Sequence, residues 1–170
     1  RPQLLGVGAA GVLYAAAVTK GGFQLTRLAI PAPAASGALD WSAAKPAGAM
    51  LVPSGTDLSQ SLAVDASAAP TVLWLSGGLR GQLFRIEDPG DGKFAAKQVS
   101  AGNGDQGKTE ECYLGLVVDR RTKEVYVRNG NRGGVWERFD DATGKSEMLS
   151  NVPGKGGGGT GNQYTPAPDG

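Results

Sequence analysis

The densest set of groups that could do chemistry lies in SAGNGDQGKTEEC, residues 100–112. Asn103, Asp105, Glu110 and Glu111 offer the hard oxygen donors that calcium takes. Their spacing matches no EF-hand loop, and a solvated loop would use the same residues. Cys112 closes the stretch and is the only Cys, so the sequence has no internal disulfide and no thiolate metal cluster. Its ordinary role is that of a small buried hydrophobe, the alternatives being a reactive thiol or an intermolecular bridge. Glu110 and Glu111 beside it disfavour a thiolate. The sequence contains no His. That excludes Ser-His-Asp and Cys-His catalysis, as well as His-ligated zinc or haem, from groups in this sequence.

Other polar stretches are weaker. EDPGDGK (87–93) and FDDATGK (139–145) carry paired acids, but turn chemistry accounts for them. GKGGGGTGN (154–162) lacks P-loop spacing and opens no helix, so it reads as a connector. Trp41, Arg80, Asn129, Asn131 and Arg132 sit in loops where a binding surface could form. An aromatic-lined cleft near Trp41 or Trp136 would suit a carbohydrate or a peptide. The 17 basic and 16 acidic residues nearly cancel and form no basic block, which argues against a general nucleic-acid binder.

These loops need elements to hold them, and the elements repeat. QLTRLA, QLFRIE and VWERFD each place an Arg before an apolar residue: Arg27–Leu28, Arg85–Ile86 and Arg138–Phe139. Each is preceded by an apolar strand with an aromatic: Tyr14 in GVLYA, Trp74 in TVLWL and Tyr126 in EVYVR. The aromatic precedes the Arg by 13, 11 and 12 residues, which suits two strands joined by a Gly-rich hairpin at 19–22, 76–81 or 129–134. SLAVD and LGLVVD add an earlier strand ending in Asp65 or Asp119, and the first copy has LLGV and then Gly8 at that place. FAAKQVS (94–100) and KSEMLS (145–150) are fourth-strand candidates, while 29–50 reads as an Ala/Pro-rich excursion. The repeated Arg is expected to face solvent or cap the unit with its stem packed. Four strands in about fifty residues is the pattern of a β-propeller blade. The expected fold is therefore all-β: a propeller segment of about three four-stranded blades at 4–50, 58–104 and 113–152. Residues 162–170 would begin a further blade, with Asp169 where Asp65 and Asp119 stood. LLGVGAAGVLYAAAV (4–18) could also pass for a signal-peptide core, but the repeat accounts for the same residues. It is too short and Gly-rich for a membrane span.

The stretch 114–145 resembles an NHL or SMP-30-like propeller blade. The residues that carry the resemblance are Val118–Asp119, Val125–Tyr126–Val127, Asn129–Gly130–Asn131, Phe139–Asp140 and Thr143–Gly144. The resemblance implies an architecture, and this architecture hosts binders, scaffolds and enzymes alike. SMP-30-type lactonases hold a metal with acidic and Asn side chains, and no such set maps here residue by residue. The signature repeats of quinone-dependent dehydrogenases are not evident either. Closed propellers use four to eight blades, so three imply a segment incomplete at both ends. The missing blades would come from further sequence, another polypeptide or a second copy in a homo-oligomer. The expected function is a non-catalytic binding or scaffold module within a larger assembly, in the periplasm or outside the cell, with no cofactor other than a possible calcium ion. The alternative is part of an enzyme propeller, a lactonase-like metal hydrolase or an electron-transfer dehydrogenase, whose funnel other blades complete.

Overall fold

The computed structural model describes residues 4–9, 11–31, 37, 41–53, 61–76, 82–100, 113–129 and 135–148. These form three four-stranded antiparallel sheets, each a simple up-and-down meander. Sheet 1 runs β1 (Leu4–Val7), β2 (Val12–Thr19), β3 (Gly22–Ala29), β4 (Lys45–Pro53). Sheet 2 runs β5 (Ser61–Asp65), β6 (Thr71–Ser76), β7 (Leu83–Asp88), β8 (Ala95–Ser100). Sheet 3 runs β9 (Tyr113–Val118), β10 (Val125–Asn129), β11 (Val135–Asp140), β12 (Lys145–Met148). A single 3₁₀ turn, Trp41–Ala43, precedes β4. No helix among the described residues is long and apolar enough to cross a membrane.

The register follows the repeat closely. Tyr14 lies directly opposite Arg27 in sheet 1, Trp74 opposite Arg85 in sheet 2 and Tyr126 opposite Arg138 in sheet 3. One part of the sequence reading needs correction. Residues 45–50 belong to no excursion: β4 begins at Lys45 and pairs with β3 as far as Pro53. Its Ala, Gly and Pro content hid it. An edge strand tolerates Pro because one row of its N–H groups faces no partner, and a register shift between Arg27 and Leu28 absorbs the irregularity.

Sheet 2 explains the stacking. Its strand β6, TVLWLS, is buried at five successive positions, Val72 to Ser76. A strand buried on both faces needs cover on both. Leu73, Leu75, Phe84 and Ile86 pack with Tyr14, Ala16, Phe23, Leu25 and Val52 of sheet 1. Val72, Trp74 and Leu83 turn the other way and pack with Leu116, Val125, Val127 and Phe139 of sheet 3. Trp74 and Phe139 meet edge to face, with ring centroids 6.0 Å apart. The fourth strands are more exposed and each carries a Lys (Lys45, Lys97, Lys145), a composition that discourages edge-to-edge pairing. Among the described residues the three sheets do not close on one another. Leu5, Val7 and Leu51 remain exposed on sheet 1.

Two turn glycines set how closely the sheets approach. Gly92, between β7 and β8, sits against the backbone of Ala47 and Gly48 in sheet 1, and Gly144, between β11 and β12, sits against Val99 in sheet 2. Both have positive φ, 83° and 69°. A Cβ on Gly144 would lie 2.7 Å from the Val99 carbonyl oxygen, whereas one on Gly90 (φ 91°) would meet nothing within 4 Å. Gly90→Ala should therefore carry the backbone cost alone, about 1 kcal/mol. Gly144→Ala should cost clearly more, about 2–3 kcal/mol, because it also wedges sheets 2 and 3 apart. Urea denaturation of the two variants checks this, and equal midpoints would refute the wedge.

Candidate functional site

The repeated cross-strand pair of aromatic and Arg does not simply face solvent. In sheet 1 both side chains reach across to sheet 2. Tyr14 donates its hydroxyl proton to Asp88 Oδ2 at 2.6 Å, and Arg27 Nε lies 3.1 Å from the same oxygen. The Arg27 Nε–H points off the line to that oxygen, so the contact is ionic rather than a directed hydrogen bond. Asp88 is buried, and its other oxygen accepts the N–H of Gly90 at 2.7 Å. One carboxylate thus ties its own turn and the neighbouring sheet.

The same contact recurs one sheet on. Arg85 Nε lies 3.4 Å from Asp141 Oδ2 of sheet 3, and Arg85 also pairs with Glu87 on its own strand. Asp88 and Asp141 each stand three residues after the Arg of their own repeat, so they are equivalent positions. In sheet 3 the two tasks are divided. Asp140 caps the turn, accepting the Ala142 N–H at 2.8 Å and the Thr143 hydroxyl at 3.0 Å, while Asp141 reaches sheet 2. These turn bonds hold the Asp140 carboxyl below its ordinary value. Asp119 likewise caps its turn through the N–H groups of Thr122 and Arg121, which lower its pKa.

Asp65 adds a second cross-sheet tie. Burial alone would raise its pKa, but Ser67 and then Lys123 of sheet 3 outweigh burial and hold the carboxyl below its ordinary value. Lys123 Nζ lies 3.2 Å from Asp65 Oδ1, and the Lys itself has φ 65°, an uncommon left-handed conformation. Ser61 Oγ accepts the Leu116 N–H at 3.1 Å and joins the first strands of sheets 2 and 3. Between these ties a cleft of about 430 Å³ opens, lined by Asp65, Arg85, Lys123, Glu124, Asp140 and Asp141 over Trp74 and Phe139.

On sheet 3 the motif repeats with different partners. Val125, Val127 and Phe139 face sheet 2, so the alternation places Tyr126 and Arg138 on the opposite face. Tyr126 gives its hydroxyl proton to Glu124 at 2.7 Å, and Arg138 pairs with Glu124 at 3.2 Å and with Glu147. Both acids belong to sheet 3 itself. The Tyr126 hydroxyl is pushed up to about 12, first by that hydrogen bond and then by burial. Tyr126 and Arg138 in turn lower Glu124, while Glu147 and then Glu124 raise Arg138. Beside them lies a cleft of about 510 Å³ lined by Glu124, Arg138, Asp140, Lys145 and Glu147.

Of the residues singled out from sequence, few fall among those described. Asn103, Asp105, Glu110, Glu111, Cys112, Arg80, Asn131 and Arg132 lie outside the described residues. Trp41 opens the 3₁₀ turn before β4, and Asn129 ends β10 opposite Val135. Among the described residues no three His, Cys, Asp or Glu side chains gather as a metal site. The ladder acids Asp88 and Asp141 read as turn residues in the sequence. Their constant offset from the Arg is the signal that would have found them.

Replacing Asp88 with Ala should leave the Tyr14 hydroxyl and Arg27 facing a buried gap and cost about 3 kcal/mol. Asp141→Ala, whose carboxylate is 44% exposed, should cost less than about 1 kcal/mol. Comparing the two by chemical denaturation tests whether the rung between sheets 1 and 2 is the structural one. The Tyr14 hydroxyl is raised from 10.0 to about 12, by burial first and then by Asp88. Its contribution to stability is complete below pH 10.0 and is lost as pH rises towards 12. Asp65 has the opposite sign: its contribution is present above its ordinary 3.8 and is lost as pH falls through the lowered folded value. Tyr14→Phe should flatten the alkaline limb of the stability profile, and Asp65→Asn should flatten the acid limb. Unchanged limbs would refute both assignments.

Neither a scan against protein-family models nor a search of curated proteins returns a match. The geometry of the ladder is thus the ground for a functional reading.

Proposed function

We propose that the chain is a β-propeller segment of the NHL or SMP-30-like kind, acting as a non-catalytic binding or scaffold module that contributes blades to a larger protein or assembly. One observation carries the reading. The Arg of the pair in each of the first two sheets engages an acid on the sheet that follows, and the third sheet presents the same pair on a face with no sheet against it among the described residues. The other end supports the same view. Leu5 and Val7 are 62% and 67% exposed on sheet 1, on the face equivalent to the one that sheets 2 and 3 each pack against their predecessor. A stack of repeats whose two end faces stay uncovered among the described residues is suited to joining further units. The clefts are lined by ion pairs within sheet 3 or between sheets 2 and 3, which fits a structural role for those charges.

Mass measurement on the protein isolated from its source tests this, under native and then denaturing conditions. The expected result is a native particle heavier than one 17.3 kDa chain, with no stoichiometric metal or organic cofactor. A lone 17.3 kDa particle would overturn the scaffold reading. A tightly held metal or cofactor would overturn the non-catalytic one in favour of an enzyme propeller.

A further inference from the structure

We infer that the Tyr126–Arg138 face of sheet 3 is a docking surface for a further sheet of the same repeat, one that supplies a carboxylate to Arg138, and that sheet 1 of a second copy is not that sheet. The inference rests on the assembly reading above and names the partner's chemistry. Continuity is the first ground. The ladder runs Arg27 to Asp88 and Arg85 to Asp141, and Arg138 is the next donor in the series. The exposure of the Arg side chain rises along it, 19%, 28% and 48%, as the cover from a following sheet falls away. The Tyr hydroxyl shows the same change. Tyr14 reaches the following sheet, while Tyr126 turns to Glu124 of its own.

Charge complementarity is the second ground. The acceptor position stands three residues after the repeat's Arg. In sheets 2 and 3 it is Asp88 and Asp141, but in sheet 1 it is Ile30. Alternation along β3 puts position 30 on the outward side with residues 24, 26 and 28, away from Leu25 and Phe23, which pack on sheet 2. A second copy offering its sheet 1 would therefore bring an isoleucine where the rungs at the other two interfaces have an acid. Glu147 does not block the incoming carboxylate. It is 64% exposed on the edge strand, and releasing such a pair to water costs little.

The chain's own sheet 1 can be turned into the probe. Ile30→Asp installs the missing acid, and Ile30→Asn gives the same shape without charge. Sedimentation equilibrium of the full chain should show Ile30→Asp self-associating about tenfold more tightly than Ile30→Asn or the parent. That difference should vanish when Arg138→Ala is added. The charge-swapped pair Ile30→Arg with Arg138→Asp should restore it, which keeps the test intact if one variant folds poorly. Equal association of Ile30→Asp and Ile30→Asn, both folded by circular dichroism, would overturn the docking face. Tight self-association of the parent that Arg138→Ala abolishes would overturn the exclusion of a second copy. The first failure, alongside a native particle heavier than one chain, would remove this face and leave the assembly reading standing, whereas the second would keep the face and change its occupant. A lone-chain native particle would remove that reading by itself.

Discussion

The contact on which the stack depends is the buried carboxylate of Asp88, held between the Tyr14 hydroxyl and Arg27 of one sheet and the Gly90 N–H of its own turn. A sheet whose central strand is apolar on both faces, as β6 is, would leave those faces in water if it stood alone. It must lie against another, and a flat apolar contact leaves sliding and rotation open. A carboxylate fixed at the end of β7 removes that freedom, because a buried charge tolerates only the position where its partners are. The Gly92 turn then seats on the backbone of β4 from the same end of sheet 2. Distance and register between sheets 1 and 2 are thus set together, one by steric contact and the other by charge.

That logic accounts for the composition. Aspartates collect at strand ends because each can accept a backbone N–H two residues on and close a turn, as Asp65, Asp88, Asp119 and Asp140 do. The number of glycines follows in part from turns that must touch a neighbouring backbone. The many aliphatic residues of β6 follow from its being covered on both faces. Aromatic residues opposite the Arg residues supply a broad apolar body with the charge at its rim, an arrangement in which the Arg stem also packs.

Much of the strand order was legible from the sequence because it was written three times. The aromatic-to-Arg spacing located the paired central strands of every sheet, and those residues are direct register partners. FAAKQVS and KSEMLS were legible as fourth strands because they keep some alternation. β4 was not, since its Pro, Gly and Ala carry no strand signature and its place is decided by pairing with β3. The ladder was half legible. Its Arg donors were visible as a repeat, but Asp88 and Asp141 lay in Asp-rich turns where local chemistry already explained them. A residue with a sufficient local reason hides a second, long-range one. Candidate loop residues such as Asn103 and Arg132 were chosen for side-chain type alone, and nothing local in a sequence says which loops meet.

The two interfaces differ in kind, and the difference bears on what sheet 3 can do. Among the described residues the contact between sheets 1 and 2 is mainly apolar, with Phe23, Leu25, Leu73, Leu75 and Ile86 fully buried beside the Asp88 rung. Between sheets 2 and 3 polar groups intrude. Glu137 is fully buried and accepts from Ser146, Ser61 bonds the Leu116 N–H, and Lys123 crosses to Asp65. Ser76 Oγ is buried without a hydrogen-bond partner, which costs roughly 1 kcal/mol or more. Apolar burial holds two surfaces over a range of small displacements, whereas polar pairs hold only in register. Sheet 3, held to sheet 2 by such polar pairs, is the member that presents the open end of the ladder. Its own acids Glu124 and Glu147 keep Arg138 and Tyr126 paired, and these are exposed pairs that cost little to exchange.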